Sequence, residues 1–122
     1  MSARRVKVDD TIEALVTTGM PKGIALTLNY LSSKGDWATS KDIEKATKLR
    51  QPEVSNAVRD LEERGWVQRD NLKRESKGRP INIYRMAVDL DQVYSSIESE
   101  ERSKIEGVQR NLEQIRELWS LS

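Results

Sequence analysis

The chain has 122 residues, 21 basic against 20 acidic side chains, and 34% charged beside 36% hydrophobic residues, the composition of one small globular protein. Cysteine and histidine are both absent, which removes thiol nucleophiles, imidazole bases, disulfides and zinc sites of nitrogen and sulfur ligands, so neither enzyme chemistry nor a cofactor is expected. No run approaches the ~18 apolar residues of a membrane span and residues 1–7 lack the apolar stretch of a secretory signal, so a cytoplasmic protein without a membrane partner is expected.

In chain order, Asp9, Asp10 and Thr11 offer caps for a short helix carrying Ile12, Leu15 and Val16 on one face, closed by Gly19 and Pro21. Residues 21–33 form a second, strongly apolar helix with Ile24, Leu26, Leu28, Tyr30 and Leu31, ending in the Ser32-Ser33-Lys34-Gly35 turn. Trp37-Ala38 makes a short extended piece, and Thr39 or Ser40 caps a third helix through Ile43 and Ala46. Pro52 suits the first turn of a fourth helix, in which Val54, Val58 and Leu61 recur at the three-to-four spacing of an inward face and which Gly65 ends. Residues 66–70 and 81–86 alternate apolar and polar side chains and bracket a polar loop, the pattern of a hairpin. Trp37, Trp66 and Tyr84 read as packing residues rather than base-stacking platforms, with Asn82 pointing outward. A last helix runs over 89–118, free of proline.

Charge divides the chain in the same place. Residues 1–88 hold 17 basic and 12 acidic side chains, residues 89–122 hold 4 and 8, so the two segments are expected to act differently. The fold class is mainly α with a small β-hairpin: a winged helix-turn-helix over 1–88 and a long C-terminal dimerisation helix over 89–122.

In that architecture the helix after the turn enters a DNA major groove. Inward positions are taken by Val54, Ala57, Val58 and Leu61, leaving Arg50, Gln51, Glu53, Ser55, Asn56 and Arg59 on the free side of its N-terminal half. Asn and Gln bond bidentately to adenine, Arg to guanine, and Ser to base or phosphate. Lys73, Arg74, Lys77 and Arg79 crowd the hairpin tip, where no core needs them and where phosphate is the natural counter-ion. Gly78-Arg79-Pro80 further suits a tip that reaches a minor groove.

The stretch 40–86, above all Val54-Ser55-Asn56-Ala57-Val58-Arg59-Asp60-Leu61-Glu62-Glu63-Arg64-Gly65-Trp66-Val67, resembles the winged-helix module of archaeal and bacterial TrmB-, MarR- and ArsR-type transcriptional regulators. Lys77-Gly78-Arg79-Pro80 followed by Tyr84-Arg85 is similar to the second wing strand of TrmB-like members. In layout the resemblance covers about residues 10–118. It implies sequence-specific binding of double-stranded DNA by a dimer. The sugar-binding domain of full-length TrmB proteins and the Cys and His ligands of ArsR metal sensors have no counterpart here, so no small-molecule or metal effector is expected.

The last helix carries two apolar sets, Leu90, Val93, Tyr94 and Ile97, then Ile105, Val108, Leu112, Ile115 and Trp119, the second at heptad spacing. Two heptads are too few for an independent coiled coil. Leu90, Ile97, Ile105, Val108, Leu112, Ile115 and Trp119 are therefore assigned to a homodimer interface that includes the partner's N-terminal helix. Such a dimer sets two recognition helices one DNA turn apart on a palindromic operator. The alternative function is a winged-helix protein-docking module, which has no need of four cations at the hairpin tip.

Overall fold

A computed structural model describes residues 3–72 and 80–121, and only the backbone of residues 3–7. Eight elements follow in order: α1 (Ala3–Thr17), α2 (Lys22–Lys34), β1 (Ala38–Thr39), α3 (Ser40–Thr47), α4 (Gln51–Glu63), β2 (Val67–Leu72), β3 (Ile81–Met86) and α5 (Leu90–Ser120). They separate into two compact units, Met1–Asp89 and Leu90–Ser122.

In the first unit, α2 is the central helix. It packs against α1, α3 and α4, and its Ala25, Leu28 and Leu31 are buried. Thr27 is buried with them and loses nothing, because its hydroxyl donates to the Gly23 carbonyl at 2.8 Å. Ile43 from α3 and Val54, Ala57, Val58 and Leu61 from α4 complete the core, closed by Ala38, Trp66, Val67 and Tyr84 from the sheet side. Leu26 and Ile83 are only half-buried.

Helix ends follow from local chemistry. Gly35 closes α2 in the left-handed region at φ 67, its N–H bonded to the Leu31 carbonyl. Thr39 starts α3 with a reciprocal cap: its hydroxyl accepts the Asp42 N–H at 3.1 Å while the Asp42 carboxylate accepts the Thr39 N–H at 3.0 Å. Gly65, at φ 80, reverses the chain after α4 and lets the Trp66 N–H reach the Leu61 carbonyl at 3.1 Å.

One boundary differs from expectation. α1 begins at Ala3, so Asp9, Asp10 and Thr11 lie inside the helix rather than capping it. Nothing from Ala3 to Thr17 breaks a helix, and an interior Asp or Thr costs only a few tenths of a kcal/mol beyond the better formers, roughly 0.7 at most.

The sheet is antiparallel in the order β1-β3-β2. Ala38 pairs with Tyr84, and Arg69 pairs with Tyr84 from the other side. Paired residues share a face, so Ala38, Val67, Arg69, Asn82 and Tyr84 all lie on one side of the sheet. Asn82, expected to point outward from Tyr84, therefore shares its face and is half-buried; residues two apart on a strand cannot oppose each other.

The second unit is the 31-residue helix α5, ~46 Å long at the standard rise. Val93 is its buried residue among those described, and Ile97 and Ile115 are half-buried. Ile105, Val108, Leu112 and Trp119 are 58–77% exposed. No helix among the described residues is long and apolar enough to cross a membrane.

Candidate nucleic-acid interface

The α3–α4 turn is built by two backbone devices. Lys48 adopts φ 65 as the C-cap of α3, with its N–H on the Glu44 carbonyl at 2.9 Å. Arg50 is the N-cap of α4, and its N–H donates to the Glu53 carboxylate at 3.1 Å. Arg50 has no side-chain acceptor, so this cap is one-sided. Pro52 follows in the first turn, where its missing N–H is no loss. Glu53, assigned from the sequence to the DNA face, is thus exposed but turned back onto its own helix terminus.

With Val54, Ala57, Val58 and Leu61 buried, the rest of α4 divides by the 100° step of the helix. Gln51, Ser55, Arg59 and Glu62 fall along one edge, toward the sheet. Glu63 lies beside this edge and Asn56 farther out. Arg50, Gln51, Asn56 and Arg59 are exposed and Ser55 is half-buried, and Gln51, Ser55 and Arg59 share one edge of the helix. Lys73, Arg74, Lys77 and Arg79 lie outside the described residues.

Beside this surface, a cleft of about 280 Å³ opens between α4 and the sheet. Val58 and Tyr84 form its floor. Ser55, Arg59, Glu62 and Glu63 line one wall, Arg69 and Asn82 the other. Across it, the Arg69 Nε lies 3.6 Å from a Glu62 carboxylate oxygen. Arg69 and Asn82 are absent from the interface residues assigned by sequence, although strand parity with the buried Val67 and Tyr84 places both on the helix side.

Other cations are engaged elsewhere. Arg64 bonds the Asp60 carboxylate at 2.6 Å and lies 5.1 Å from the centre of the Trp66 ring. Trp66 is buried, in keeping with its reading as a packing residue.

Residues 18–76 match the family model described as MarR family. The match covers just under half of the chain and falls on its winged helix, which is similar to that family's module. Members of this family are transcription regulators, not enzymes. No curated protein matches the chain. Among solved structures it is similar to a possible transcriptional regulator from Methanosarcina mazei Go1, at 21% identity over 88% of each chain with a TM-score of 0.68. It is similar to TrmBL2, an archaeal chromatin protein, at 17% identity over 91% of this chain and 40% of that one, with a TM-score of 0.65. MepR of S. aureus in its DNA-binding conformation gives 24% identity over 98% and 93% of the two chains and a TM-score of 0.51. These likenesses, all below 25% identity, bear on the fold. The arrangement of α3, α4 and the strands β2 and β3 is the winged helix-turn-helix expected from the order of elements.

Proposed function

We propose that this chain binds double-stranded DNA sequence-specifically as a homodimer and regulates transcription from a palindromic operator. The observation that carries the reading is the polar surface of α4. Gln51, Asn56 and Arg59 are exposed on the helix that follows the turn, and all three are chemistries suited to base edges. Arg50 and Ser55 flank them as phosphate or base contacts. Glu53 serves first as the cap of α4 and can accept from a cytosine amino group only at the far side of that surface. Lys73, Arg74, Lys77 and Arg79 supply phosphate contacts from the hairpin between β2 and β3.

The homodimer rests on α5. An exposed stripe of Ile105, Val108 and Leu112, continued by Trp119, is an aggregation hazard on a monomer and an ordinary seam in a dimer. Ile115 lies beside it, with Leu90 and Ile97 extending the apolar side toward the start of the helix. An apolar groove between α1 and α2, about 550 Å³ and lined by Val8, Ile12, Val16 and Leu26, offers a seat for part of a partner's helix. A two-fold axis then presents two α4 helices to one duplex.

The test is a titration of the whole chain against labelled duplex DNA over a salt series. A nucleic-acid reader loses affinity linearly in log salt, by about 0.9 per phosphate contacted. A protein-docking module shows no duplex binding at physiological salt.

A further inference from the structure

We propose that the cleft between α4 and the wing strands seats one phosphate of the DNA backbone, held from β2 by Arg69 and from the helix by the Ser55 hydroxyl. The proposal rests on the reading of α4 as a major-groove helix and extends it to a subsite in the body of the wing.

A helix lying in the major groove is flanked by the two sugar–phosphate ridges that border the groove. An element packed alongside that helix must therefore straddle a ridge, and the space between helix and element is where the ridge passes. In this fold that space is the cleft of about 280 Å³. Its walls are polar: Ser55, Arg59, Glu62 and Glu63 on the α4 side, Asn82 and Arg69 on the sheet side. Ser55, Asn82 and Arg69 can donate hydrogen bonds to an anionic oxygen, and the two carboxylates oppose it.

Glu62 decides how Arg69 is presented. Its carboxylate sits 3.6 Å from the Arg69 Nε, and a guanidinium held from its Nε side keeps Nη donors free for a second acceptor. The side chain remains 53% exposed, so an incoming phosphate can reach it. Glu62 also adds a negative charge beside the phosphate position. In the free protein the pair is self-neutralised; in the complex, Glu62 opposes the phosphate that Arg69 attracts.

This gives the two partners of one ion pair opposite effects on binding. Arg69→Ala removes a phosphate contact. It is expected to weaken binding of a random-sequence duplex roughly two- to fivefold, the range of an exposed charged contact, and to lower the salt slope by about 0.9. Arg69→Gln, of similar reach but uncharged, gives the same direction. Glu62→Gln keeps the size of the side chain and removes the opposing charge, so it tightens binding by a comparable factor. Circular dichroism and urea melts on each variant verify the fold, since an exposed pair contributes little to stability.

Opposite signs for the Arg69 and Glu62 variants support the subsite. An ion pair that merely fixes the wing in place makes both variants weaken binding, and that result overturns it, as does an unchanged salt slope in Arg69→Ala. Loss of the subsite is distinguishable from loss of the parent reading. In the first case the unsubstituted chain still binds duplex DNA; in the second it binds none.

Discussion

The guanidinium of Arg85 lies 4.3 Å from the centre of the Trp37 ring, tying the last strand of the wing to the turn that precedes β1. Trp37 is itself fixed by Asp36, whose carboxylate accepts the Trp37 N–H at 2.8 Å. Arg85 belongs to the densest basic stretch of the sequence, yet it sits on the sheet face opposite Tyr84 and the cleft. Its expected role is to brace the sheet against the segment before β1.

A double-mutant cycle measures that role. Arg85→Ala and Trp37→Leu are expected to share a coupling of about 0.5–1 kcal/mol in urea unfolding, the size of a partly exposed cation–π contact. Arg85→Ala leaves the salt slope of DNA binding unchanged, whereas a slope reduced by a full phosphate's worth would move Arg85 into the interface.

The Thr39–Asp42 cap predicts a pH dependence. The Thr39 backbone N–H on its carboxylate holds the Asp42 pKa below the ordinary value, against a smaller opposing desolvation and with help from the Thr39 hydroxyl, Lys34 and Lys45. A folded-state pKa below the unfolded one means that ionised Asp42 stabilises the fold above the unfolded value, about 3.9. That stabilisation is lost as pH falls through the folded value. Asp42→Asn therefore flattens the acid limb of stability against pH, and Thr39→Ala costs about 1 kcal/mol at neutral pH. Urea melts at a series of pH values check both.

How much of the fold and the interface is legible in the sequence depends on the kind of signal. Pro52, Gly65 and the Thr39–Asp42 spacing mark helix ends because each acts on its own backbone. Val54, Val58 and Leu61 mark the buried side of α4 because helical periodicity is local. The start of α1 escapes because Asp9-Asp10-Thr11 looks like a cap, a preference weaker than the continuous helix around it. Arg69 and Asn82 escape as cleft residues for another reason. Their neighbours Ser55 and Arg59 lie on a different element, and only the packing of α4 on the sheet brings the four together. Glu53 is legible as polar and exposed, but its bond to the Arg50 N–H is a matter of side-chain direction that residue type does not convey.

On α4, substitutions separate into two kinds. Asn56→Ala and Arg59→Ala are each expected to cost on the order of 1–3 kcal/mol at a selected site, the worth of a bidentate bond to a base, and much less on random DNA. Equal effects on both DNAs would make them backbone contacts. Val58→Ala acts through the fold, lowering stability by roughly 1 kcal/mol or more without changing which sequence is preferred.

For α5, truncation after Ser103 removes Ile105, Val108, Leu112, Ile115 and Trp119. The winged helix is expected to stay folded, because its buried core lies in the unit Met1–Asp89, and to sediment as a monomer. Operator affinity then falls by roughly 10² to 10⁴, the gain that linking two half-site interactions provides. A truncated chain that remains dimeric would move the interface to α1.

Selection of the whole chain on a pool of randomised duplex DNA, followed by sequencing of the bound fraction, tests sequence-specific reading by a dimer most directly. The expected result is enrichment of an inverted repeat whose half-sites are centred about one helical turn, roughly 10 base pairs, apart. A bound pool as random as the input would contradict it, leaving a protein that holds the DNA backbone without reading the bases.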